Sequence, residues 1–148
     1  MQADVGKLGK IVVAKFEHGE DFIGGLETLS KKHKIKTGLV FFLGALKGAD
    51  IVTGPQKAVI PPEPNWNTFN DGREVFGFGT IFYEKGKPKL HLHMGAGKKS
   101  KTLVGCIRKN AKIYLVIEAF MLEIKGINAR KELDPKTGLI MLKILSAK

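Results

Sequence analysis

The sequence predicts an α+β fold, a mainly antiparallel β-sheet of about seven strands flanked by an early α-helix. Three observations carry this. Only one segment, near the start, repeats its apolar residues at helical spacing. The rest divides into short runs rich in β-branched and aromatic residues. Those runs are joined by turn signals rather than by further helices, which favours antiparallel neighbours.

Gly9 to Phe16 (GKIVVAKF) reads as the first strand. His18-Gly19-Glu20-Asp21 is a turn into a helix, with acids at its positive end. Phe22, Leu26 and Leu29 then form one apolar face, and Lys31, Lys32 and Lys34 crowd the negative end. Gly24-Gly25 costs a helix about 1 kcal/mol per residue relative to alanine, so close packing against the sheet is expected there. Lys36 to Ala45 and Lys47 to Thr53 read as two strands, and the proline-dense Ala58 to Asn70 as a loop or irregular edge. Glu74 to Tyr83, Lys89 to Met94, Thr102 to Ile107, Lys112 to Ile124 and Leu139 to Leu145 complete the strands. Turns are expected at Asp71-Gly72, Glu84 to Pro88, Gly95 to Ser100 and Leu133 to Gly138.

The 148 residues, 43% hydrophobic, suit one domain with one core, over 1–148. No apolar run approaches the roughly 20 residues that span a bilayer, and no signal-type segment opens the chain. With a lone cysteine, Cys106, that places the protein in the cytoplasm as an expectation, with no membrane partner.

Lys plus Arg number 25 and Asp plus Glu 14, a net charge of +11 that favours polyanions. No acid interrupts Lys85 to Lys112. Weak, sequence-independent nucleic-acid binding is therefore one expectation. Lys85-Gly86-Lys87-Pro88-Lys89 is similar to an AT-hook core with lysine for arginine, but lies between two strands and reads as a turn.

The candidate chemistry starts at His91 and His93. Two apart on a strand, they project from one face with Leu92 on the other, half of a common zinc site. Taking the following turn as centred between Lys98 and Lys99, paired positions sum to 98 + 99 = 197, and His91 lies opposite Cys106. Two imidazoles and a thiolate favour zinc over oxygen-seeking magnesium or calcium. Three protein ligands leave a fourth position for water, which permits hydrolysis or lyase chemistry. Glu74 and Glu118 are the carboxylates to consider as a base. The chain has no nucleophile elbow, phosphate loop or dinucleotide fingerprint.

The ordered set of segments resembles the plants-and-prokaryotes-conserved (PPC) domain, the domain of plant AT-hook nuclear proteins. The resemblance runs from the first strand and His18-Gly19-Glu20-Asp21-Phe22 through Leu43-Gly44-Ala45-Leu46 and Glu74 to Ile81. It continues with Leu90-His91-Leu92-His93-Met94, Val104-Gly105-Cys106-Ile107, Glu118-Ala119-Phe120, Ala129-Arg130-Lys131 and Thr137-Gly138-Leu139. It implies an antiparallel sheet flanked by helix, a homotrimer, and in standalone prokaryotic members no settled activity. Some members hold a metal, read as zinc, on the H-x-H histidines and a later histidine near Gly-Gly-His. This chain has no such histidine; Cys106 stands roughly in that slot.

Overall fold

The computed structural model describes residues 1–145; residues 146–148, the end of the expected 1–148 domain, lie outside the described residues. The order of elements is β1 (Lys7–Glu17), α1 (Phe22–His33), β2 (Gly38–Pro55), β3 (Pro64–Phe69), β4 (Arg73–Glu84), β5 (Lys87–Lys98), β6 (Lys101–Lys125), β7 (Ala129–Asp134) and β8 (Leu139–Ile144). The α+β reading, with one helix and a mainly antiparallel sheet, holds.

Six strands form one sheet in the order β1-β6-β5-β4-β2-β3, and β2 also pairs with β6. That extra pairing closes β6-β5-β4-β2 on itself. The two long strands make this closure by serving twice. The first half of β2 lies between β4 and the second half of β6; its second half lies between β3 and the first half of β6. Strands β7 and β8 form a separate hairpin.

The sequence reading split β2 into two strands at Lys47 and split β6 into Thr102–Ile107 and Lys112–Ile124. Each is one strand carrying irregularities where the break was expected. β2 shifts register against β6 repeatedly between Gly44 and Ile51. Its bend falls at Gly44, φ 139°, where a Cβ would collide with the Val116 carbonyl. On β6, Asn110 and Leu115 take positive φ. The loop or irregular edge expected over Ala58 to Asn70 holds the short edge strand β3, and β7 adds a strand where none was expected.

The core fills the concave face, and α1 covers it. Asp21 caps the helix, its Oδ1 accepting from Gly24 N–H at 3.3 Å. Phe22 and Leu26 are fully buried, Leu29 partly so. Phe22 packs between Phe16 of β1 and Phe42 of β2, with ring centroids 5.3 and 4.9 Å away. The fourth position on that face is Ser30, whose buried hydroxyl donates to the Ile35 carbonyl at 2.8 Å. Close packing at the glycine pair holds for Gly25, where a Cβ would collide with the Phe16 ring. At Gly24 a Cβ would make ordinary contact with Asp21 at 3.5 Å.

The opposite, convex face is left apolar. Val13, Phe120, Phe41 and Phe78 are cross-strand partners in one row over β1, β6, β2 and β4, and all are exposed. Leu43 and Phe76 form a second pair beside them.

Candidate metal centre

Strand alternation sets the site. Leu92 and Met94 of β5 are buried in the core, so His91 and His93 between and beside them face outward. Phe78 lies opposite His93 on one side and Cys106 on the other. The convex row thus ends in the histidine strand.

Cys106 reaches the histidines by a register different from the expected one. The turn is Lys99–Ser100, with Lys98 paired to Lys101, so partners sum to 98 + 101 = 199. Residues Gly95 to Lys98 continue β5 instead of turning. Lys99 takes the positive φ that a tight hairpin requires. Cys106 consequently faces His93, not His91. The error is two residues, and an even slip keeps every side chain on its own face.

His91 Nε2 and His93 Nε2 stand 3.1 Å apart, with the rings edge to face. With the Cys106 sulfur they form a set whose ligand atoms all lie within 4.8 Å of one another. Donors around a tetrahedral zinc with bonds of about 2.0–2.3 Å stand roughly 3.3–3.6 Å apart. The imidazole pair is near that spacing already, and the thiol needs an adjustment of up to about 1.3 Å. Donor chemistry and spacing both fit a tetrahedral divalent ion.

The electrostatics suit a neutral imidazole. Burial first, then the charges of His93, Lys131 and Arg108, push His91 down to about 4, so at neutral pH its nitrogen lone pair is free. Burial pushes the Cys106 thiol up, against the opposing pull of Arg108 and Lys131. Without a cation the sulfur stays protonated, its S–H directed at the Ile107 carbonyl at 3.8 Å. A coordinated divalent ion removes that proton outright.

Two cations beside the cluster escaped the sequence reading. Arg108 is two residues beyond Cys106 on β6, so alternation alone could have assigned it to the same face. Lys131 comes from β7, and burial lowers its ammonium below the usual range. Only the fold of the hairpin brings it there. The two carboxylates considered as a base lie elsewhere. Glu74 is opposite Gly97, four residues along β5 from His93, roughly 13 Å away at strand spacing. Glu118 is opposite Lys15 and Leu43, far along β6 from Cys106.

A pocket of about 770 Å³ opens against this cluster. His93, Cys106 and Arg108 form one side, and the β2–β3 arm, with Val52, Pro55 and Trp66, forms the other.

The lysine-rich stretch does not make one patch. Lys85, Lys87 and Lys89 gather at the β4–β5 turn, where Lys85 and Gly86 take the positive φ values of a two-residue hairpin. Lys98, Lys99 and Lys101 lie at the far end of β5. Acids from outside the stretch answer some of these charges: Glu84 pairs with Lys89 at 3.8 Å and Asp71 with Lys98 at 3.7 Å. Among the described residues no helix is long and apolar enough to cross a membrane.

Comparison with known proteins agrees with this architecture. A metal-containing protein from Archaeoglobus fulgidus superposes with a TM-score of 0.86 at 22% identity, over 99% of this chain and 100% of that one. A plant- and prokaryote-conserved protein from Pyrococcus horikoshii gives 0.80 at 21% identity, with 99% and 100% covered. A candidate DNA-binding protein from Ralstonia eutropha gives 0.76 at 16%, with 90% of each chain covered. At these identities the likeness is one of fold. No curated protein matches the sequence. The profile of the Plants and Prokaryotes Conserved (PCC) domain, the PPC domain under its other abbreviation, matches residues 3–125. From β1 through β6, including the histidine strand and Cys106, this chain belongs to the Plants and Prokaryotes Conserved domain family.

Proposed function

We propose that the protein is a metal-binding member of this family, in which His91, His93 and Cys106 hold a divalent ion, zinc ahead of others. The observation that carries the reading is the spacing of the three donor atoms, all within 4.8 Å. Mixed imidazole and thiolate donors favour zinc over magnesium and calcium; copper competes on affinity, so zinc also rests on availability. The metal-containing protein of Archaeoglobus fulgidus, alike in fold, supports it. In this reading the whole chain acts as one cytoplasmic domain, assembled as a homotrimer through its apolar convex face.

Three protein ligands leave a coordination position open, and a bound ion there supplies a Lewis acid. The chain's own residues around it are cationic: Arg108 and Lys131 attract an anionic group, while neither Glu74 nor Glu118 is near enough to take a proton. The surroundings favour binding an anion over hydrolysis by a carboxylate base.

Metal content decides the reading. Protein purified without chelator or histidine tag, then supplied with zinc, is expected to hold one ion per chain. His91→Ala is expected to fold and hold none, since the imidazole faces away from the core and is no part of it. Equal metal in both proteins, or none in the unmutated one, would overturn it.

A second reading is a DNA-associated regulator that uses the basic surface. The +11 charge and the fold shared with the Ralstonia eutropha protein support it. The lysines at opposite ends of β5 restrict it to diffuse phosphate contact.

A further inference from the structure

The pocket beside the donor cluster has walls unlike the cluster itself. Prolines 55, 62 and 64, with Val52, Leu139 and Trp66, line most of it. Its cationic groups are Arg108 and Lys109, which follow Cys106 on β6. Among the described residues no acidic side chain lines it. Its volume, about 770 Å³, is that of a small-molecule site, and an apolar chamber with a few convergent polar groups is the usual form of one.

Three features narrow the ligand. First, among the described residues neither Arg108 nor Lys109 forms an ion pair within 4.0 Å; Lys109 stands opposite Asp50 and feels its charge, while Arg108 has no such partner. Second, a guanidinium is a planar fork matched to a carboxylate, and two donor groups on an otherwise apolar wall suit one small anionic head on an apolar body. Third, Trp66 lines the pocket and is 52% exposed as a residue, with the Lys109 ammonium 5.7 Å from its ring centroid. That indole offers a face for a second ring, and proline walls hold the chamber's shape without much entropy left to lose on binding.

We propose that this pocket binds a small aromatic carboxylate, its head group held by Arg108 and Lys109 and its ring against Trp66. The proposal goes beyond the metal reading and stands on the pocket's own walls. An ion on His93 and Cys106 would add a further positive charge at the pocket's edge.

Trp66 is the only tryptophan, so its fluorescence reports the pocket directly. The test titrates phenylacetate, phenylacetamide and cyclohexylacetate into the full chain, once stripped by chelator and once zinc-loaded, with zinc measured by elemental analysis. Phenylacetate is expected to shift the emission saturably in at least one of the two forms. The neutral amide is expected to bind about tenfold more weakly, the loss of a charge-assisted contact. Arg108→Gln with Lys109→Gln is expected to bring the acid down to the amide's level and leave the amide unchanged, which also shows the variant folded. Equal binding of acid and amide overturns the anion site. Equal binding of phenylacetate and cyclohexylacetate overturns the stacking on Trp66. No saturable change in either form overturns the pocket. Phenylacetate binding with no stoichiometric zinc in the zinc-supplied form sinks the metal reading alone.

Discussion

Cys106 is the residue at which register matters most. It is 4% exposed and flanked by Gly105 and Ile107, which makes it a small buried hydrophobe by its surroundings. Its partner across β5 is nonetheless His93, so its sulfur lies on the donor side of the sheet. If it is a ligand, Cys106→Ser removes a soft donor while His91 and His93 keep a weaker two-imidazole site. We expect zinc affinity to fall by at least about tenfold, read by competition with a chromophoric chelator. Binding is also expected to weaken in acid. His91 becomes a proton competitor only near pH 4, whereas the Cys106 thiol, held protonated by burial, must give up its proton to the metal. Unchanged affinity in Cys106→Ser would leave the cysteine to the core.

At the scale of the element, α1 offers a paired experiment. Gly24 and Gly25 are adjacent and each weakens the helix by about 1 kcal/mol relative to alanine. Gly24→Ala meets only the Asp21 side chain, at 3.5 Å, and is expected to stabilise the protein by up to about 1 kcal/mol. Gly25→Ala drives a methyl into Phe16, which is itself locked against Phe22. Overpacking of about 1–3 kcal/mol outweighs the helical gain, so denaturant unfolding should show the opposite sign. The β2–β3 arm offers a second test. Asp50 accepts from Thr68 of β3 at 2.7 Å and from Asn110 of β6 at 2.6 Å. These bonds, Thr68 foremost, hold its carboxyl below the usual range. A depressed carboxylate contributes stability that is present above its unfolded value, about 3.9, and is lost as pH falls through the folded one. Protection factors of the β3 amides, taken relative to the intrinsic exchange rate at each pH, should therefore fall between neutral pH and pH 3, and Asp50→Asn should flatten that dependence. The pair is exposed enough for the effect to be modest.

At the scale of the molecule, the convex face is the unsolved surface of a monomer. Phe76 is 73% exposed, Phe78 57% and Val13 66%, in continuous cross-strand rows. Contiguous apolar surface of this kind marks an interface. In the proposed homotrimer, light scattering at micromolar concentration gives about 49 kDa, three times 16.2 kDa. Phe78→Glu should shift it toward the monomer; a stable 16.2 kDa species for the unmutated chain would refute the assembly. The charge makes its own prediction. Duplex DNA binding at low salt should fall steeply with added salt and ignore A·T content, because it rests on counterion release. Discrimination of A·T tracts at high salt would restore the hook reading of Lys85 to Lys89.

What the sequence determined by itself is whatever depends on local periodicity. Phe22, Leu26 and Leu29 mark the helix face, and alternation through Leu90 to Met94 puts both histidines outward. Lys85-Gly86 needs only its own backbone to make a turn. Tertiary structure decided what depends on how strands bend and meet. A bulge at Gly44 or Asn110 looks in sequence like the end of a strand. It is in fact what lets β2 and β6 run on and close the sheet, because long-range pairing outweighs local irregularity. Cys106 shows both sides: its face follows from parity, which an even slip preserves, but its partner waited on the turn at Lys99. Arg108 could be read from β6 alone, whereas Lys131 and Trp66 reach the cluster and the pocket only because β7 packs against β4 and β3 pairs with β2.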